Sequence, residues 1–422
     1  MSGLVKDNIF GSSGSIASAA GGLNWQAVVT ASTVTVSAGN GYLIDTTSNT
    51  CTITLPSSAE AGDQIIFVDY ARTWGTYKII IDSNGLNYQG QDDSYIVEYE
   101  TDGQTVSIIY ADATQGWIPE SDVDVADAPT PPPTQKGIFA FGQVSGTDYS
   151  LSNLVSSSGV IATDTTGVGT ARANIMGCSY GADKGIFAYG YKDSGGGQSI
   201  SNLVSNSGVV ATDVTGVGTT RWNGTAAGYG YTKGIIAFGS SSGGNINLSN
   251  LVSSVGVISS DVTGVGSART VVGGTTYGKD KAIIAFGYIS AATNLSNLVS
   301  NTGVVASDTS GVGTSRSDPT AASYGGDKAI FGYGLTSGSV SMSNLVSNVG
   351  VVASDVSGVG TARYKLACVS YGTDKAIFAY GTTGSDVSMS NLVNSSGVVA
   401  ADVTGVGTVR RSLGAVGYSL SA

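Results

Sequence analysis

Six arginines and six aspartates recur at constant spacing through the last two thirds of this 422-residue chain. The arginines are Arg172, Arg221, Arg269, Arg316, Arg363 and Arg410, and each follows by eight residues an aspartate: Asp164, Asp213, Asp261, Asp308, Asp355 and Asp402. Two chemistries suit such pairs. A carboxylate and a guanidinium across a turn can brace the chain through charge-assisted hydrogen bonds, the reading that repetition favours. Alternatively, six guanidiniums near one channel mouth can hold a sulfate, phosphate or uronate group. Catalysis finds fewer candidates. The chain has no histidine, which removes imidazole acid–base chemistry and histidine metal ligation. Glycoside hydrolysis needs two carboxyl groups about 5–10 Å apart. All four glutamates (Glu60, Glu98, Glu100, Glu120) precede the repeats, and the irregular Asp148, Asp193, Asp318 and Asp386 fall on different repeats. Calcium binding lacks a D-x-D-x-D loop, and Cys51, Cys178 and Cys368 are too scattered for a disulfide framework or a zinc ribbon. The expectation is a protein without catalytic residues, metal or cofactor.

The elements that must position the pairs come from an internal repeat. Lys-[Gly/Ala]-Ile-[Phe/Ile]-[Ala/Gly]-[Phe/Tyr]-Gly begins at Lys136, Lys184, Lys233, Lys281, Lys328 and Lys375. Asn-Leu-Val, Gly-Val-Gly and a tyrosine eight residues beyond each arginine keep the same step. Each unit reads as four short strands: a ends at the tyrosine, b starts at the lysine, c holds Ser-Asn-Leu-Val and d follows the next glycine. Strand b is apolar on both faces, as in a sheet covered on both sides. Four strands in 47–49 residues fit one blade of a β-propeller. The first unit lacks a strand a and the last stops after one, so 410–420 is expected to pair beside 136–142 and close a six-bladed ring.

Residues 23–120 have shorter β patterns, at Val34–Val36, Thr52–Leu55, Gln64–Val68, Lys78–Ile81 and Val106–Tyr110, and are expected to form an antiparallel β-sandwich-like domain or roll. Residues 1–22 are Gly/Ser/Ala-rich and read as a flexible segment; 121–135 is a Pro-rich linker; 136–422 is the ring. The fold class is thus all-β. The whole acidic excess behind the net charge of −11 lies before residue 136, with 16 acidic and 3 basic side chains there against 14 and 16 in the rest. An acidic chain argues against a nucleic-acid partner, and no window of about 18 apolar residues supports membrane insertion.

The Arg-x(7)-Tyr strand followed by I-F-x-[YF]-G resembles a kelch-type propeller blade, with one glycine where kelch has two and without the kelch tryptophan. The string N-L-V-S-N-T-G-V-V-A-S-D with G-V-G-T-x-R and D-K-A-I-F-x-Y-G is similar to repeats in tail-fibre and other virion proteins of tailed bacteriophages, especially those of cyanobacteria. G-Y-L-I-D-T-T-S-N-T-C-T-I-T-L-P and G-W-I-P resemble β modules of phage fibres. The resemblance implies a homotrimeric virion tail-fibre protein: residues 1–22 would join other tail proteins, and the propeller would contact a host receptor, a glycan or outer-membrane component. A structural or decoration protein of the virion and a cellular propeller lectin are the alternatives.

Where the six copies differ points to candidate receptor-binding residues. The position after the repeat arginine is Ala173, Trp222, Thr270, Ser317, Tyr364 or Arg411, and the b–c loops differ in length. In an up-and-down blade both emerge on one face, whereas the a–b and c–d turns are uniform. Trp222, Tyr364 and Tyr191 are expected as exposed stacking surfaces, with Arg411, Lys192, Tyr288 and Tyr149 beside them. The chain should enter and leave the ring on the uniform side, with the N-terminal domain attached behind it.

Overall fold

The computed structural model describes residues 23–93, 95, 97–120 and 133–422. The proposed anchor, 1–22, and linker residues 121–132 lie outside the described residues. The chain divides into two compact units, Met1–Pro131 and Pro132–Ala422. Both are all-β, with no helix among the described residues.

The first unit has strands β1 (Asn24–Trp25), β2 (Thr33–Thr35), β3 (Asn40–Ile44), β4 (Cys51–Thr54), β5 (Gln64–Asp69), β6 (Ile79–Asp82), β7 (Val97–Tyr99), β8 (Thr105–Tyr110) and β9 (Trp117–Pro119). They form two sheets, ordered β1-β3-β5-β8-β9 and β2-β4-β6-β7. Alternate residues of β4 and β5 turn inward, and Ile53, Ile65, Phe67, Trp74 and Trp117 share one core. The antiparallel expectation is corrected here. β1, β3 and β5 pair in parallel, as do β2, β4 and β6; antiparallel pairing begins at β5–β8 and β6–β7. The chain crosses to the opposite sheet after each of the first five strands, so it returns to a given sheet running the same way.

Besides two small two-stranded hairpins, Gln143–Val144 with Thr147–Asp148 and Tyr191–Lys192 with Gly196–Gly197, the second unit contains six sheets of three antiparallel strands each. In the second sheet they are Met176–Tyr180, Lys184–Ala188 and Ser201–Val204. Each middle strand is buried from its second residue through at least its fifth because it lies between two neighbouring sheets. Met176, Cys178 and Ile186 of the second sheet pack with Ala226, Ile236 and Val252 of the third. Each fully buried Ile or Phe contributes about 1.5–3 kcal/mol.

Adjacency runs in a cycle. Gly181, Gly230, Gly278, Gly325, Gly372 and Ser419 donate backbone N–H bonds of 2.7–2.9 Å to Thr232, Asp280, Asp327, Asp374, Gln135 and Asp183, linking each sheet to the next and the sixth to the first. Gly414–Tyr418 pairs with Lys136–Ala140 to supply the first sheet's inner strand, and Phe139 and Leu413 share a core with Val369, Ile377 and Tyr380 of the sixth. Each repeat tyrosine packs beneath a glycine of the following sheet: a Cβ on Gly256, whose φ is +79°, would lie 2.8 Å from the Tyr180 ring.

The four-stranded unit needs correction. The segment expected as strand d is joined to the third strand only by isolated bridges, such as Val155↔Ile161 and Ser152↔Thr165. Between these bridges the outer segment carries one extra residue, a bulge. Asn153 fills the gap, its Nδ2 donating to the Ala162 carbonyl (3.0 Å) and to Asp164 (2.9 Å).

Candidate functional site

The Gly-Val-Gly crossing carries each repeat arginine from the outer segment of one sheet to the inner strand of the next. There it meets the aspartate of the sheet it enters. The ion pairs are Arg172–Asp213, Arg221–Asp261, Arg269–Asp308, Arg316–Asp355, Arg363–Asp402 and Arg410–Asp164, at 3.5–3.9 Å. The expected pairing of each arginine with the aspartate eight residues before it (Asp164 with Arg172, Asp213 with Arg221, Asp261 with Arg269, Asp308 with Arg316, Asp355 with Arg363, Asp402 with Arg410) is corrected by one unit.

Arg316 shows the bracket in full. Its Nε donates to the Tyr333 carbonyl (2.9 Å), Nη1 to the Thr314 carbonyl (3.3 Å) and Nη2 to Asn344 Oδ1 (2.7 Å). The guanidinium also stacks 4.0 Å from the ring centroid of Phe286 in the preceding sheet. The acceptor carbonyl belongs to an aromatic with left-handed backbone, one of six (Phe141, Tyr189, Phe238, Phe286, Tyr333, Tyr380) at φ 60–64°. Burial pulls the Arg316 guanidinium down to about 10, partly offset by Asp355. It therefore stays cationic at neutral pH. Burial works to raise the Asp355 carboxyl, but bonds from Thr314, Asn344 and the Thr314 N–H, then the charge of Arg316, together hold it below its ordinary value. All six repeat arginines are 0% exposed, so no ring of guanidiniums is open to an anion.

Beside the bracket, the variable positions come together. The residue after the arginine bridges the start of the b–c hairpin: Ala173↔Tyr191, Trp222↔Ser240, Thr270↔Tyr288, Ser317↔Leu335, Tyr364↔Thr382 and Gln143↔Arg411. Adjacent hairpins also touch. Asn245 Nδ2 donates to the carbonyls of Tyr288 and Ile289, the Asp193 N–H to Asp148, and the Ser145 N–H to Asp386. Arg411 pairs with Asp386 at 3.1 Å. The expected exposure of three aromatics is corrected. Trp222 and Tyr191 pack edge to face at 5.1 Å, and both are half-buried, as are Tyr364, Tyr149 and Lys192. Tyr288 is open, at 43% exposure, with Ile289 beside it. The uniform end carries solvated pairs such as Lys375–Asp374, and Gln135 enters the unit there, its N–H bonded to the Ser419 carbonyl.

A third set was missed in the sequence. Two residues after each arginine stand Asn174, Asn223, Val271, Asp318, Lys365 and Ser412, all left-handed at φ 49–56°. Their backbones join head to tail: Asn223 donates to Asn174, Val271 to Asn223, Asp318 to Val271, Ser412 to Lys365 and Asn174 to Ser412. These five bonds hold the six residues in a tight circle at the start of the inner strands. Asn and Asp tolerate this backbone, whereas Val, Lys and Ser adopt it at a cost. The available signal was the variability of this position, which matches that of its neighbour. Comparison with protein-family models and with curated proteins finds no match.

Proposed function

We propose that the second unit is a six-bladed β-propeller and that the protein is a tail-fibre or receptor-binding protein of a tailed bacteriophage, attaching the virion to a host surface receptor without catalysis. The cyclic order of the sheets, Gly414–Tyr418 in the first and the six inter-sheet N–H bonds support the propeller reading. The observation that carries the receptor reading is an asymmetry between the two ends of the sheets. Five a–b turns keep Tyr-Gly-x-[Asp/Thr]-Lys at one end, whereas every b–c hairpin at the other end differs in sequence, and several of these hairpins touch a neighbour. Gln135 enters at the uniform end, leaving the variable rim clear of the chain's entry. A host glycan is the favoured receptor, with Tyr288 as the open stacking surface.

Trimerisation through the first unit is part of this reading. Trp25, Tyr70 and Tyr77 are 52%, 55% and 41% exposed there and are open to contacts between copies. Closed cyclic symmetry would multiply weak contacts at the receptor end.

The test uses the full chain as a soluble competitor of phage adsorption. Tyr288→Ala combined with Trp222→Ala should weaken competition by about tenfold or more, as expected for an aromatic contact of about 1–3 kcal/mol. Ala at Asp327 and Lys328, on the uniform end, should leave it intact. The reverse pattern would place recognition on the uniform end and defeat the proposal.

A further inference from the structure

The two sheets of the first unit turn different surfaces away from their shared core. In β2, β4, β6 and β7 the outward positions include Thr33, Thr52, Thr54, Ile80, Asp82 and Glu98, and Lys78 pairs with Glu98 beside them. That surface suits water. In β3, β5, β8 and β9 the outward positions include Leu43, Ile66, Val68, Ile109 and Ile118, none of which belongs to the core cluster. Register gathers them: Leu43 stands beside Val68, and Ile109 beside Ile118. Trp25 extends the patch over β3, where a Cβ on Gly41 would lie 2.7–2.9 Å from the indole, and the ring keeps 52% exposure. No outward position on these strands is charged. Glu120, just past β9, is held at the edge of the sheet by Gln64 and Ser107. An open apolar face of this kind on an otherwise charged unit marks a contact surface.

We infer that this face is where three copies of the chain meet, with Trp25, Leu43, Ile66, Val68, Ile109 and Ile118 of each forming a common core. Charge identifies the occupant. The chain before residue 136 has 16 acidic and 3 basic side chains, so copies repel wherever their charged surfaces approach. This face lets them meet without bringing acids together, whereas a basic partner would be drawn to the acids of the other sheet. Width sets the number. The sheet has five strands, so it is about 19 Å across and about 18 Å along the strands, or about 340 Å² per copy. Two faces packed together would bury only about 700 Å² in all, the size of a casual contact, whereas three reach the roughly 1,000 Å² that a specific interface needs. Three faces of this width set around an axis each stand about 5.5 Å from it, close to half of the roughly 10 Å at which sheets pack, so their side chains meet without a void. The number of copies also rests on the trimeric reading proposed above; the face rests on the alternation and register of its strands.

The experiment is light scattering of the full chain across a concentration series. The native chain should give three copies per particle. Ile66→Thr combined with Ile109→Thr keeps β-branched residues suited to a strand and should raise the concentration at which the particle dissociates by at least tenfold. Trp25→Ala, at the edge strand and outside the core, should act in the same direction, whereas Ile80→Thr on the other sheet should not. Circular dichroism matching that of the native chain shows that each variant has folded. Three copies that survive both the double threonine variant and Trp25→Ala would overturn the face while leaving the trimer standing. A native monomer or dimer would overturn both, and a monomer that associates only after deletion of residues 1–22 would make that segment the occupant. Trimers that dissociate as expected, from a native chain that does not compete with phage adsorption, would support the face and refute the receptor reading.

Discussion

Replacing Asn344 with alanine tests the bracket that joins successive sheets. Asn344 is fully buried. Its Oδ1 accepts from Arg316 Nη2 at 2.7 Å, and its Nδ2 donates to the Ala353 carbonyl at 3.0 Å and to Asp355 at 2.9 Å. Two of these bonds involve an ionised partner, at about 1.5–3 kcal/mol each, and one a neutral carbonyl, at about 0.5–1.5 kcal/mol. The contributions are not additive, but the substitution also strands a buried guanidinium N–H, so a loss of about 3–5 kcal/mol is expected. At about 2–4 °C per kcal/mol for a unit of this size, the melting temperature should fall by about 10 °C. Calorimetry on the full chain reads this directly. Asn153→Ala, in the bracket where Arg410 reaches back across the chain to Asn153 (2.5 Å), should cost the same, whereas Asn348→Ala at an exposed turn should change little. The reasoning is refuted if Asn344→Ala behaves like Asn348→Ala. An Asn153→Ala much milder than Asn344→Ala would show that the closing bracket is not equivalent to the others.

Acid should weaken the ring unit through all six repeat aspartates, whose carboxyls are held below their ordinary value. Their contribution is fully present above the unfolded carboxyl value of about 4 and is lost as pH falls through the lower folded values, so melting temperatures should be flat from pH 7 to about 5 and fall steeply below about 4. Deleting 414–422 removes the partner of Lys136–Ala140 and should convert a monodisperse species into aggregates by light scattering; a dispersed product with unchanged melting would argue against the closing strand. Burial pushes Cys178 up to about 12 and Cys51 to about 11, and raises Cys368 well above its ordinary value, so a thiol reagent at pH 8 should label none of them until denaturant is added. Multi-angle scattering of the full chain should give three copies per particle.

The repeat was readable because Lys-x-Ile, Asn-Leu-Val and the tyrosine eight residues beyond each arginine recur together, and three of the four expected strands lie where those signals stand. The fourth lies where expected but meets the third at only two bridges per unit, because an extra residue between them breaks the ladder and Asn153 and its equivalents bond across the gap. The Asp–Arg register was ambiguous by nature: with identical units, an aspartate eight residues before an arginine and one about forty after it are equally regular. Only the direction of the Gly-Val-Gly crossing decides between them. Strand direction in the first unit was also hidden, since the inward–outward alternation of Gln64–Asp69 is the same beside a parallel or an antiparallel neighbour. The circle at Ser412 could not be read from residue type, because Val271 and Lys365 are poor predictors of a left-handed backbone.

The pairing of Lys136–Ala140 with Gly414–Tyr418 also sets a clock on biosynthesis. The two strands are separated by about 280 residues, which a ribosome adds in tens of seconds at roughly 5–20 residues per second. Through that interval the nascent first sheet waits with one flank of its apolar middle strand unpaired, while the later sheets assemble behind it from mostly local contacts. The slowest and most non-local step is thus reserved for the end, and chaperone occupancy on stalled chains should concentrate at Ile138 and Phe139.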